Sequence, residues 1–138
     1  MRTLADRLRH TVLFEIIALV IVALVGSRII GRSVTEVGAL SLMFSVMVMF
    51  WNLLFNWMFD HWDRKFRHSA KRGVGVRLVH AVLFELGILF AGVFLVAWWL
   101  DMTLLQALLL DIGFAVFFVA YAFGYNWLYD TVFPVAKT

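Results

Sequence analysis

The chain has 138 residues, 64% hydrophobic and 15% charged, with a single proline, no cysteine and a formal net charge of +3. Its mean hydropathy is +0.93. A water-soluble domain of this size has too much surface for its volume to hide that many apolar side chains, so composition excludes one and points to lipid as the solvent. The lack of cysteine excludes disulfides and thiolate metal sites.

The first apolar block runs from about Thr11 to Ile30. Basic residues precede it, as in a signal peptide, but it is about 20 residues long, contains Glu15 and is followed by SRIIGRS rather than by a small-x-small cleavage site. It is therefore read as a helix that stays. A second block follows from about Val37 to Phe59, then the charged stretch DHWDRKFRHSAKRGVGVR at 60–77. The third and fourth blocks, at about Leu78 to Leu100 and Leu104 to Trp127, are separated by the short WLDMT at 99–103. Each block can cross about 30 Å of hydrocarbon at about 1.5 Å per residue. The expected fold is an all-α integral membrane protein with four transmembrane helices in two hairpins.

The hairpins are copies of one another. At an offset of 70, Arg7, Leu8, His10, Val12, Leu13, Phe14 and Glu15 recur as Arg77, Leu78, His80, Val82, Leu83, Phe84 and Glu85, seven identities in nine positions. The same offset aligns WNLLFNWMFD at 51–60 with YAFGYNWLYD at 121–130, so that Asn56, Trp57 and Asp60 recur as Asn126, Trp127 and Asp130. Residues 1–70 and 71–138 are thus expected to be tandem hairpins, parallel because each crosses the membrane twice.

Ten of the twelve basic residues fall in the N-terminus (Arg2, Arg7, Arg9), the central loop (Arg64, Lys65, Arg67, Lys71, Arg72, Arg77) and the tail (Lys137). Arg28 and Arg32 are the other two. An excess of Lys and Arg marks the cytoplasmic side, which predicts cytoplasmic termini and a cytoplasmic central loop. The positive charge then reports topology rather than a nucleic-acid partner.

Glu15 lies about 6 Å inside the first block, counting 1.5 Å per residue, and Glu85 holds the equivalent place. A carboxylate at that depth is costly unless it meets a polar cavity or a partner, and removal from water disfavours its charged form. Such a group can exchange a proton or attract a cation, with the two competing. A glutamate near a membrane end can also simply pair with Arg7, Arg9 or Arg77, but duplication of the surrounding RxxHxxxFE pattern favours function. Asn52, Asn56 and Asp60 are spaced i, i+4, i+8 and share a stripe, as do Asn126 and Asp130. Amides in lipid commonly tie helices together, while Asp60 and Asp130 stand at the water boundary, as helix-end charges or acids that meet an incoming cation. Trp51, Phe55 and Phe59 form one aromatic stripe and Tyr121, Tyr125 and Tyr129 another. They suit packing, or stacking against a flat apolar cation. His10 and His80 are helix-end histidines or relays to the neighbouring glutamates. Haem ligation by the pair would leave the Arg and Glu of the motif unexplained, and no cofactor or metal is expected. Asp111 has no acidic repeat partner, since Ser41 occupies the equivalent position, and is either hydrogen-bonded to a neighbouring helix or a station on an exit path.

RxxHxxxFE at 7–15 and 77–85, WNxxFNxxFD at 51–60 and YxxxYNWxYD at 121–130 resemble the four signature motifs of the proteobacterial antimicrobial compound efflux family, of the chlorhexidine efflux protein type. Thr11 and Ala122 depart from the small and polar residues of that pattern. The resemblance implies a transporter of the bacterial inner membrane that expels chlorhexidine, cationic dyes and quaternary ammonium compounds by proton antiport, with short diamines as natural substrates. It implies proton coupling and substrate binding at Glu15, and a homodimer. The competing reading is a non-transporting assembly subunit whose basic loop at 64–77 binds anionic lipid; it leaves the duplicated membrane acids without a role.

Overall fold

A computed structural model of the chain describes residues 2–68 and 70–135, so Lys137, counted above among the cytoplasmic charges, lies outside the described residues. Four helices are long and apolar enough to cross a membrane: α1 Leu4–Ile30, α2 Val34–Arg67, α3 Val74–Leu100 and α4 Leu104–Val132. There is no strand among the described residues. The helices overrun the apolar blocks by one to two turns at the Leu4, Arg67, Val74 and Val132 ends. Hydropathy marks the hydrocarbon boundary, whereas the helices continue beyond it on local support. Thr3 caps α1 by accepting the Asp6 amide at 3.2 Å, and Arg67 pairs with Asp63 one turn earlier.

The two short connections are built alike. Gly31 ends α1 in the left-handed region (φ 75°) and Asp101 ends α3 there (φ 50°), at positions exactly one repeat offset apart. Glycine adopts this conformation without strain, and aspartate is among the few residues that tolerate it. Arg32 N donates to Ser27 O and Met102 N to Ala97 O, each at 3.2 Å, closing the preceding turns. A side-chain N-cap opens each following helix, reciprocated as a capping box at Thr103 and Gln106. Ser33 Oγ accepts the Glu36 amide at 3.1 Å, and Thr103 Oγ1 accepts the Gln106 amide at 3.2 Å while Gln106 Oε1 accepts the Thr103 amide.

The chain forms two compact units, one of Met1–Ser41 with Ile112–Thr138, the other Leu42–Asp111. Each therefore draws on both sequence repeats. In the first unit, α1 carries a π-helical turn at Val22–Gly26. A Cβ on Gly26 would stand 3.2 Å from Val37 Cγ1, and one on Gly38 lies 3.5 Å from Ala23 Cβ, so small residues let α1 and α2 approach closely. Large apolar side chains point outward, among them Phe50 and Phe90 (each 70% exposed) and Phe123 (79%). In water this would be an aggregating surface; in a bilayer it is the lipid contact.

Candidate functional site

In the first unit, residues 6, 10 and 14 of α1 form a one-turn ladder that meets residues 129, 125 and 121 of α4. Three tyrosine hydroxyls donate to backbone carbonyls of α1: Tyr121 to Phe14 O at 2.8 Å, Tyr125 to His10 O at 2.8 Å, and Tyr129 to Asp6 O at 3.2 Å. A helical carbonyl has a second lone pair, so these bonds add to the helix ladder without breaking it. The Phe14 ring packs 4.8 Å from Tyr121 and 5.2 Å from Tyr125. His10 presents its ring between Tyr125 and Tyr129, with centroids at 5.0 and 4.6 Å, and its Nε2 lies 2.8 Å from Asn126 Oδ1.

The second unit repeats the arrangement with different chemistry. Trp51 Nε1 donates to Phe84 O at 3.0 Å, the repeat equivalent of the Tyr121 bond. Phe55 and Phe59 have no hydroxyl to donate; their rings hold His80 at 4.9 and 4.7 Å. His80 Nε2 is 3.0 Å from Asn56 Oδ1. Asn56 Nδ2 donates to Asn52 O at 2.8 Å and to Asn52 Oδ1 at 2.9 Å. Gly87 seats the Trp51 indole, since a Cβ there would fall 2.2 Å from its Cζ2.

A charged cluster closes each unit. Asp130 is bonded by Arg2, which also reaches Asp6 at 2.5 Å, while Arg9 reaches Asp6 at 2.5 Å and Tyr129 OH donates to Asp6 Oδ1 at 2.7 Å. In the other unit Arg72 bonds Asp60 at 2.5 Å and Asp63 at 3.0 Å, and Arg67 reaches Asp63 at 2.6 Å. Arg2 and Arg72 are one repeat apart, as are Asp130 and Asp60. Each guanidinium also stands over a ring of its ladder, Arg2 at 4.9 Å from Tyr129 and Arg72 at 5.2 Å from Phe59. Hydrogen bonds donated to Asp6 and then to Asp130 raise the pKa of Arg2, and those donated to Asp60 and then to Asp63 raise that of Arg72.

Glu15 and Glu85 lie one residue beyond Phe14 and Phe84, on exposed faces of α1 and α3. Glu15 directly follows Phe14 in α1, and the Phe14 ring packs on Tyr121 and Tyr125, so a carboxylate adjoins this aromatic cluster along the chain. This combination can hold an apolar cation by charge and by ring faces. Asp111 is buried, at 2% exposure, against Gly92 of α3 and Phe44 of α2. Arg7 and Arg77 are exposed, and Trp127 points outward at 67% exposure. The structure thus joins the motif at 7–15 to that at 121–130, and the motif at 51–60 to that at 77–85. Sequence reasoning did not single out Arg2, Arg72, Asp6, Asp63, Gly87 or Gly92 for the site. Extending the repeat outward from the motifs gives the Arg2/Arg72 match and could have found the first two.

A family model of chlorhexidine efflux transporters matches residues 2–65 and again 72–135. A short-chain diamines transporter of Vibrio parahaemolyticus is 40% identical over 132 residues, covering 96% of this chain and 93% of the relative. Short-chain diamines transporters of Acinetobacter baylyi and Acinetobacter baumannii are each 36% identical, over 126 and 135 residues, covering 91% and 95% of this chain and 88% and 92% of their own lengths. No solved structure matches the chain.

Proposed function

Because the chain belongs to the chlorhexidine efflux transporter family, we propose that it exports hydrophobic cations by exchange with protons, with Glu15 as the group for which the two compete. The observation that supports this most is that Glu15, on a helix long and apolar enough to cross a membrane, directly follows Phe14, whose ring packs on Tyr121 and Tyr125. In the cycle, ionised Glu15 facing the cytoplasm captures the cation. A conformational change presents it outward, and protonation from outside releases it. Exclusive binding of proton or substrate is what converts a proton gradient into efflux.

The substrates of this reading are chlorhexidine, quaternary ammonium compounds and acridine dyes, with short-chain diamines, after the named relatives, as natural cargo. The protein works in the bacterial inner membrane with both termini cytoplasmic, as a homodimer. Hairpins 1–70 and 71–138 are its repeat units. Glu85, directly after Phe84, takes the equivalent place in the second repeat. Asp60 and Asp130, held by Arg72 and Arg2, anchor the helix ends at the mouth through which the cation enters. Arg67 and Arg72 are engaged by Asp63 and Asp60, which leaves the central loop less free charge for anionic lipid.

Dye efflux from energised cells, with and without a protonophore, tests the proposal. Efflux that stops with the protonophore and in Glu15→Gln, while that variant still inserts, is expected. Equal efflux by Glu15→Gln removes this glutamate from the mechanism.

A further inference from the structure

The second unit contains two deeply buried aspartates that are treated in opposite ways. Asp63, 4% exposed, receives Arg67 and Arg72. Asp111, 2% exposed, has a carboxylate oxygen, Oδ2, with no hydrogen-bond partner. It lies seven residues into α4, about 10 Å from the start of that span at 1.5 Å per residue. The carboxyl rests on the bare backbone of Gly92: a Cβ there would meet Oδ2 at 2.7 Å and Oδ1 at 3.0 Å, with Phe44 Cζ also at 2.7 Å. The site exists because residue 92 has no side chain.

The segments around its Phe44 and Gly92 neighbours hold nothing that can neutralise it. Residues 40–48 of α2 and 88–96 of α3, which flank the Phe44 and Gly92 contacts, contain no titratable or charged side chain, and within 104–117 of α4 Asp111 is alone in carrying one. An unpaired carboxylate buried in hydrocarbon is strongly disfavoured, whereas the protonated acid has no charge to strip of water. Ser41 occupies the equivalent place in the first repeat, so there is one such site per chain.

We propose that Asp111 is a second intramembrane proton site, separate from Glu15, that loads and unloads during transport. Its place in the cycle rests on the efflux reading above; its existence as a proton site does not. Asp111 stands ten positions before Tyr121 in α4. A proton leaving Asp111 moves from the carboxyl oxygen to water when the helices part at Gly92, and one is taken back from water before they close.

The test is infrared spectroscopy of the full chain in lipid nanodiscs, with isotope-labelled aspartate to separate aspartate from glutamate bands. The expected result is a carboxylic-acid band from aspartate at neutral pH that is lost in Asp111→Asn and shifts in deuterated water severalfold faster with chlorhexidine present. Absence of the band, its persistence in Asp111→Asn, or exchange indifferent to chlorhexidine overturns the proposal; the last result would mean a fixed structural acid. Should Asp111→Asn fail to fold, Gly92→Ala in labelled protein serves instead: the added methyl group must displace the carboxyl and shift the band, and an unshifted band overturns the assignment. The band is expected to persist in Glu15→Gln, so failure of the Glu15 mechanism and failure of this one are read separately.

Discussion

His80 Nε2 lies 3.0 Å from Asn56 Oδ1, and the orientation of that amide is fixed independently by its bonds to Asn52. Because the backbone oxygen of Asn52 can only accept, the side of Asn56 that faces it must be the NH2 group, which leaves Oδ1 for the histidine. Nε2 therefore carries the hydrogen. The histidine of one sequence motif is thus locked by the asparagine of another, and His10 with Asn126 repeats the arrangement at 2.8 Å.

Nitrogen NMR of the histidines should show His80 as the Nε2–H tautomer when neutral. Asn56→Ala should release this preference and lower stability by about 0.5–1.5 kcal/mol, the net range for a hydrogen bond. An unchanged tautomer in Asn56→Ala would mean that the pair does not set it.

Tyr125→Phe removes a hydroxyl that donates to His10 O while leaving the ring in the ladder. We expect a loss of about 0.5–1.5 kcal/mol in thermal or denaturant unfolding, with the helical content unchanged. The corresponding position of the other unit is already phenylalanine, so Phe55→Tyr offers the reciprocal measurement.

Gly87→Ala places a methyl group where the Trp51 indole lies, 2.2 Å from Cζ2. The indole must leave its seat and its bond to Phe84 O, which should destabilise the protein by about 1–3 kcal/mol. Gly113→Ala, where an added Cβ meets nothing within 4 Å, is the control and should be neutral or slightly stabilising.

The Arg72–Asp60 and Arg2–Asp130 pairs should behave as coupled clamps, with Arg72→Ala and Asp60→Ala lowering the melting temperature by amounts that do not add in the double variant. The pKa of each arginine is raised in the folded state. Stability from a raised group is fully present below its unfolded pKa and is lost only as pH climbs through the folded one. These arginines should therefore hold their charge from about pH 6 to about pH 9, far below the arginine range. Alkaline opening of either clamp inside that window, seen as a melting temperature that falls in the wild type but not in Arg72→Ala, would contradict the assignment.

The four spans were legible because hydrocarbon demands runs of apolar residues, and the motifs because each has a counterpart 70 residues away in the sequence. The His10 and Asn126 positions were visible individually, but their bond was not: neither hydropathy nor an offset of 70 says which helices share a unit. The aromatic stripes follow from four-residue spacing, whereas the hydroxyl-to-carbonyl bonds of Tyr121, Tyr125 and Tyr129 require knowing that α1 lies opposite. Asp111 illustrates the remainder. Its sequence context offers an acid among leucines, and only packing shows that Gly92 makes the room for it.

Competition between a proton and a hydrophobic cation at Glu15 makes chlorhexidine binding to the purified protein depend on pH, and that dependence is the decisive measurement. Binding by the wild type should weaken as pH falls and be accompanied by proton release, while Glu15→Gln should bind weakly with no dependence attributable to this position. The same pH dependence and proton release in both proteins would contradict it.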